Sequence, residues 1–202
     1  ISSLFNQGLW YGTFVVGAST PHGPLYGAKT IDVSGAIAFA GQGRVASYVQ
    51  LPGLYVDTQI ANWTGSAVII NYTLVDGRYI IAFGGPLVNY ITYAYNPPNE
   101  TGYDGLPFFY NSTVGGIEDA RTGQVFTGSN IFMVAIVYNP TVDKYVVLVW
   151  GLSGPATQAA GVWLTNYGAA YNYRAVIVEW TPTTGLPVPS PYDQYTILDH
   201  WP

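Results

Sequence analysis

The chain of 202 residues contains no cysteine, which excludes a disulfide framework and any site built on a thiolate. It contains only two histidines, His22 and His200, near opposite ends of the sequence. No Gly-x-Ser-x-Gly motif is present either. We therefore do not expect a Ser–His–acid catalytic triad.

Charge is also scarce. Lys, Arg, Asp and Glu together make up 8% of the chain, against about a quarter in ordinary soluble domains. The six basic residues stand singly and the net charge is −5, so no basic stripe is available to neutralise phosphates and nucleic-acid binding is not expected. The longest apolar runs, residues 131–138 and 145–152, are far shorter than a membrane-spanning helix, so we also expect no membrane span.

Tyrosine, in contrast, is abundant, with 18 residues in a chain that is 49% hydrophobic. Because few charges are available, the surface must be covered by Tyr, Thr, Ser, Asn and Gly, and tyrosine is enriched at protein interfaces. This composition favours association with other subunits, namely copies of the same chain, with other surface proteins as a second class of partner. A neutral, β-rich secreted monomer would have a similar composition.

Three runs of strand-forming residues each end in a glycine-bearing turn and a Gly-Pro pair: Gly23-Pro24, Gly85-Pro86 and Gly154-Pro155. Proline suits the first turn of a helix, where its missing N–H is not needed. Each pair therefore predicts the order strand, turn, helix. The predicted helices cover residues 155–164, which are alanine-rich with helical apolar spacing, and residues 86–95 and 25–40.

The remaining pattern predicts strands and hairpins. A hairpin is predicted around Asp76-Gly77, joining residues 68–75 to 78–83. A second hairpin is predicted to join residues 131–138 to 144–150. Further strands are predicted at residues 9–16 and 174–180, and the strand at 145–150 is placed in the middle of the sheet because both of its faces are apolar.

These elements predict the α/β class, with a mixed β-sheet, β-hairpins and about three helices following Gly-Pro turns. No flexible linker divides residues 1–180, which are predicted to be one domain. Residues 181–202 are predicted to be a proline-rich, extended C-terminal arm.

The predicted arm begins as proline-spaced extended chain and ends in large apolar residues. On its own subunit such an arm is a surface strap, whereas on a neighbour it allows polymerisation by strand addition or groove filling. We predict the second role. The residues assigned to the assembly arm are Pro187, Pro189, Pro191, Tyr192, Tyr195, Ile197 and Trp201.

Four N-glycosylation sequons, more than chance gives for this composition, begin at Asn62, Asn71, Asn99 and Asn111. The alternative is that a chain rich in Asn and Thr carries them by accident. The first residue, Ile1, is typical of a mature secreted protein, although an N-terminus of another origin would look the same. We predict an extracellular, cell-surface glycoprotein.

No catalytic residue, metal site or cofactor is predicted. The densest acidic cluster is Glu118-Asp119 beside Arg121, but adjacent residues of a strand point to opposite faces. The loop at residues 99–105 offers oxygens for calcium without EF-hand spacing, so calcium binding there stays open. The alternative function is a secreted carbohydrate-binding or glycoside-hydrolysing module that uses aromatic platforms and carboxylates such as Asp104, Glu118 and Asp119.

Residues 79–89, Tyr-Ile-Ile-Ala-Phe-Gly-Gly-Pro-Leu-Val-Asn, resemble the strand and G-G-P-x-V-N turn of archaeal surface-layer (S-layer) proteins. Residues 14–18, Phe-Val-Val-Gly-Ala, resemble the opening of that domain. Residues 145–160, with the Ala159-Ala160 pair, resemble its later strand, glycine-rich turn and T-x-A-A helix. The resemblance implies a non-catalytic, S-layer-like domain that self-assembles into a cell-surface layer or filament.

Overall fold

The computed structural model describes Ile1 and residues 12–46, 53–75 and 77–202. The strands are β1 (Thr13–Val16), β2 (Leu54–Val56), β3 (Ala61–Trp63), β4 (Val68–Ile70), β5 (Tyr79–Phe83), β6 (Phe108–Asn111), β7 (Gly116–Asp119), β8 (Gln124–Phe126), β9 (Ile131–Asn139), β10 (Lys144–Gly151), β11 (Ala175–Thr181) and β12 (Gln194–Trp201). The helices are α1 (Thr30–Ala46), α2 (Asp57–Ile60), α3 (Tyr90–Tyr95) and α4 (Gly154–Tyr167).

Seven strands form the main sheet in the order β12-β11-β9-β10-β5-β1-β2. Strands β2, β1, β5 and β10 run parallel, whereas β9 pairs antiparallel with both β10 and β11, and β12 pairs antiparallel with β11. The remaining strands form two small antiparallel sheets, β3-β4 and β6-β7-β8. The predicted α/β class with a mixed β-sheet is confirmed.

The main sheet is buried on both faces. One face packs against α1 and α4, with Phe14, Phe83 and Trp163 among the buried residues. The other face packs against α3 and the small sheets, with Leu148 and Phe108 among its buried residues. Strand β10 is the central strand of the sheet, as its apolar residues predict. Its successive side chains alternate between the two layers of the core, with Val147 in one and Leu148 in the other.

The predictions for β9 and β10 are confirmed as an antiparallel hairpin, and the predicted strand at 174–180 matches β11. Of the predicted first strand at 9–16, residues 9–11 lie outside the described residues, and β1 covers Thr13–Val16.

The hairpin predicted around Asp76-Gly77 is wrong. Strand β4 pairs with β3, whereas β5 pairs in parallel with β1 and β10. All five residues of β5 are buried, which suits an interior parallel strand and leaves no solvent face for a hairpin partner. Asp76 itself lies outside the described residues.

Only one Gly-Pro pair begins a helix as predicted. In α4, Pro155 lies in the first turn and the Ser153 hydroxyl accepts a hydrogen bond from the Ala156 N–H. After Pro86 the chain turns, and α3 begins only at Tyr90 because Asn89 is its N-cap. Pro24 lies in a turn closed by the bridge between His22 and Leu25, and α1 begins only at Thr30.

The C-terminal residues differ from the predicted arm. Residues 194–201 form β12, an edge strand of the main sheet, rather than an arm separate from the domain. Tyr195 and Ile197 pack on the α1–α4 side of the sheet, and Trp201 packs on the opposite side. The register shifts between Ile177 and Val178 of β11, and such a bulge moves the following side chains to the other face.

Candidate functional site

The β11–β12 loop, residues 182–193, is held together by one buried carboxylate. Asp193 accepts hydrogen bonds from the backbone N–H groups of Thr183, Thr184 and Ser190 and from the indole Nε1–H of Trp180. Burial alone would raise the pKa of Asp193, but these hydrogen bonds outweigh it and hold the pKa well below its usual range. The loop therefore has a fixed backbone.

The same loop is attached to its own subunit. The Tyr167 hydroxyl of α4 donates a hydrogen bond to the Pro191 carbonyl, and the Tyr195 hydroxyl donates to the Ser190 carbonyl at 2.9 Å. Pro189 is buried, whereas Pro187 is exposed. Much of the predicted assembly arm therefore packs against its own subunit.

Large apolar side chains of this region nevertheless face solvent. The exposed residues are Leu186, Val188 and Tyr192 in the loop and Leu198 in β12, and Tyr192 is 85% exposed. We call these four residues the apolar edge. Of the four, only Tyr192 was assigned to the arm from the sequence. The pattern of residues 181–189, Thr-Pro-Thr-Thr-Gly-Leu-Pro-Val-Pro, indicates a loop but does not indicate which side chains face outward.

The outer edge of strand β12 is partly covered at its C-terminal end. Arg121, in the turn between β7 and β8, donates hydrogen bonds to the His200 carbonyl and to Asp199. Its Nε–H is held by Asp119 at 2.8 Å. Among the described strands β12 pairs with β11 alone, so its N-terminal half presents open backbone groups.

The acidic residues proposed for the alternative function are not assembled into one site. Asp104 pairs with Arg174, Glu118 accepts a hydrogen bond from Asn111, and Asp119 is buried against Arg121. Burial opposes ionisation of Asp119, but hydrogen bonds from Arg121 and Thr122 lower its pKa below the usual value. These carboxylates have structural partners, which argues against a paired-carboxylate hydrolase.

Within the described ranges no three His, Asp or Glu residues lie close enough together to hold a metal ion. His22 also has both ring nitrogens engaged, with Nε2 at 2.9 Å from Asp57 and Nδ1 at 2.7 Å from the Thr20 carbonyl. Asp57 is fully buried and accepts further hydrogen bonds from the backbone N–H groups of Ala18 and Tyr90. The pair joins the ends of β1 and β2 to the start of α3.

The four sequon asparagines differ in environment. Asn62, Asn71 and Asn99 are exposed, whereas Asn111 is half-buried and its amide nitrogen donates a hydrogen bond of 2.6 Å to Glu118. The Asn99 amide nitrogen donates to the Ser112 hydroxyl at 2.9 Å. Asn62 lies on β3, at the side of the molecule formed by the β3-β4 sheet.

A cleft of about 260 Å³ lies where the parallel strands end. It is lined by residues that follow β1, β5 and β10, and we call it the carboxyl-edge cleft. Its lining includes Tyr26, Lys29, Asp32, Tyr110, Trp150 and Thr157. The turns at Gly85-Pro86 and Gly154-Pro155, which the sequence marks, both contribute to this lining, but their pattern does not predict a cleft. Asp32, in the first turn of α1, accepts a hydrogen bond from the Lys29 N–H at 2.8 Å.

Comparison of the chain with protein-family models and with curated proteins gives no match. The resemblance to the archaeal surface-layer family therefore stays a prediction from the motifs quoted above. None of the helices in the described ranges has the length and hydropathy needed to cross a membrane.

Proposed function

We propose that the protein is a non-catalytic structural subunit of an extracellular surface layer or filament, and that its copies associate through the apolar edge. The observation that carries the proposal is the contrast within the β11–β12 loop. Its backbone is fixed by Asp193, while Leu186, Val188 and Tyr192 face solvent. A loop ordered in advance loses little conformational entropy on binding, so its apolar side chains contribute more of their burial to affinity.

The composition supports the same role. Charged residues make up only 8% of the chain, so few charges oppose the approach of a second copy. The open half of β12 offers backbone donors and acceptors for strand addition. In the other half of β12, Arg121 occupies the His200 carbonyl, which limits the register in which a strand of a neighbouring copy can pair.

Export and glycosylation are part of this proposal. Three sequon asparagines are exposed, and glycans there would supply the polar surface that the scarce charges do not. No sequon falls between residues 182 and 202, so none of these glycans is attached to the segment that carries the apolar edge.

The test is the assembly state of the whole chain by light scattering and negative-stain electron microscopy. Removal of residues 181–202 is unsuitable because it would strip Tyr195 and Ile197 from the core. The variant replaces Leu186, Val188 and Tyr192 with serine. The matched control replaces three equally apolar exposed residues elsewhere, Leu54, Ile69 and Val114, with serine.

We expect ordered layers or filaments from the unaltered chain and from the control, and monomers of unchanged melting temperature from the edge variant. Monomers from the unaltered chain at every concentration would overturn the proposal. Assembly of the edge variant equal to that of the control would show that copies meet elsewhere and would overturn the assigned surface.

A further inference from the structure

The carboxyl-edge cleft lies where ligands usually bind in open α/β sheets. Strand β1 has β2 on one side and β5 on the other, so the chain reverses its direction of progress across the sheet at β1. Ligands bind outside the carboxyl ends of the strands near such a point. The cleft is lined by Gly27 after β1, Gly85 after β5 and Gly151 at the end of β10, and the assembly proposal gives it no role.

The walls of the cleft are aromatic and apolar. Tyr26 is 67% exposed at the rim, and its backbone N–H is fixed by the Leu87 carbonyl at 2.8 Å. Tyr110 packs edge-on against Trp150, with ring centroids 6.4 Å apart. Rigid aromatic rings with few polar groups are typical of small-molecule sites.

One polar group of the lining is unsatisfied. The Trp150 side chain is almost fully buried, and its indole Nε1–H has no hydrogen-bond partner in the part of the chain that the structure describes. A buried donor without a partner is destabilising by itself. This nitrogen is itself buried, so Trp150 contributes a rigid ring wall to the cleft, packed on Tyr110, and not a hydrogen-bond donor.

The charges of the lining favour a neutral ligand. Asp32 and Lys29 are the charged residues that line the cleft, so their formal charges cancel. Although α1 and α4 both begin here, and helix N-termini attract anions, the Asp32 carboxylate lies among them and repels a phosphate. Burial raises the pKa of Asp32, although the Lys29 N–H, the Lys29 charge and Thr157 oppose this shift, in agreement with a carboxyl group partly withdrawn from water.

We propose that the carboxyl-edge cleft binds a neutral pyranose unit of a glycan. Asp32 accepts hydrogen bonds from two sugar hydroxyls, and the Tyr26 ring covers one face of the sugar. Two sources supply this chemistry: a glycan carried by another copy of the chain, or a separate surface polysaccharide. No bond is made or broken.

The experiment measures binding of methyl glucoside, methyl galactoside, methyl mannoside and N-acetylglucosamine to the whole chain by saturation-transfer NMR and calorimetry. Inorganic phosphate is the anionic comparison. A second arm uses oligosaccharides released from the natively produced protein. The variants are Tyr26→Ala and Asp32→Asn, and the matched control is Leu54→Ala, which removes a large side chain that is 57% exposed and lies outside both the cleft and the apolar edge. Melting curves confirm that each variant is folded.

We expect saturable binding of at least one pyranoside with a Kd on the order of 1 mM. Each cleft variant should weaken it about tenfold, and Leu54→Ala should leave it unchanged. Tighter binding of the released oligosaccharides assigns the cleft to glycans of neighbouring copies, and binding of pyranosides alone assigns it to a separate polysaccharide. No saturable binding of any sugar, binding of phosphate instead, or binding that Tyr26→Ala leaves unchanged would overturn the proposal. Failure of this proposal can be distinguished from failure of the assembly proposal. A monomer that binds sugar would contradict assembly alone, and a polymer that does not bind sugar would contradict the cleft proposal alone.

Discussion

The indole Nε1–H of Trp180 donates a hydrogen bond of 3.0 Å to the Asp193 carboxylate, joining the end of β11 to the residue that precedes β12. The same carboxylate accepts from three backbone N–H groups and from the Thr184 hydroxyl. One side chain therefore closes the β11–β12 loop and sets the direction in which β12 begins.

Replacing Asp193 with Asn should destabilise the protein by about 2 kcal/mol or more. The amide nitrogen of Asn would face N–H donors, so at least one buried donor would lose its acceptor. The midpoint of urea unfolding measures the change. The control is Glu100→Gln, an exposed carboxylate for which we expect less than about 0.5 kcal/mol. Equal midpoints for the two variants would mean that the loop is not fixed by Asp193.

Stability should fall in acid. The pKa values of Asp193 and Asp119 are lowered in the folded protein, so their contribution is present above the unfolded pKa of about 4 and is lost as the pH falls towards the folded values. Asp32, whose pKa is raised, acts in the opposite direction, because its ionisation destabilises the fold as the pH rises.

The measurement is the urea midpoint at a series of pH values from about 7 to about 2. The unaltered chain should lose stability steadily below about pH 4, and Asp193→Asn should show a shallower loss because one of the responsible groups is gone. An identical pH profile for the two proteins would exclude Asp193 as a main source of the acid sensitivity.

The sequence predicted those elements whose partners are near in the chain or whose patterns are strong. Strands β9 and β10 are joined by a short turn, and α4 has an alanine-rich run with a serine N-cap. Strand β5 was predicted as a strand, but its pairing was predicted wrongly because its partners, β1 and β10, are distant in sequence. A nearby turn signal cannot outweigh parallel pairing that the local sequence does not encode.

The candidate sites were harder to predict for the same reason. The carboxyl-edge cleft is assembled from residues such as Tyr26, Tyr110 and Trp150, which follow or end different strands. The pattern of the C-terminal residues predicted an exposed extended segment, but not that a bulge near Leu198 would place Ile197 and Trp201 on opposite faces of one sheet. Such placement depends on tertiary pairing.

Glycan occupancy should differ among the four sequons. We expect the highest occupancy at Asn62, which is exposed on β3, and the lowest at Asn111, whose amide nitrogen is engaged by Glu118. Glycopeptide mass spectrometry of the natively produced protein measures the order. Replacing Glu118 with Ala frees the Asn111 amide and should raise occupancy there, whereas full occupancy at Asn111 in the unaltered chain would contradict the prediction.

Helices α1 and α4 cross at two glycines, Gly35 of α1 and Gly161 of α4. A Cβ atom placed on Gly161 would lie 2.8 Å from the Gly35 carbonyl oxygen and 3.0 Å from its Cα. Helix propensity alone would make Gly161→Ala stabilising by about 1 kcal/mol. The contact is with backbone, however, so the helices must separate, and overpacking of this kind costs about 1–3 kcal/mol.

We therefore expect Gly161→Ala to lower the unfolding free energy by about 1 kcal/mol and Gly161→Val to lower it further. Asn166→Ala, on an exposed position of the same helix, is the control and should change it by less than about 0.5 kcal/mol. Urea unfolding measures all three. A stabilising Gly161→Ala would mean that helix propensity outweighs the contact between the two backbones. It would also mean that the helices can move apart at little cost to the packing of Phe39 and Trp163, which they contribute to the core.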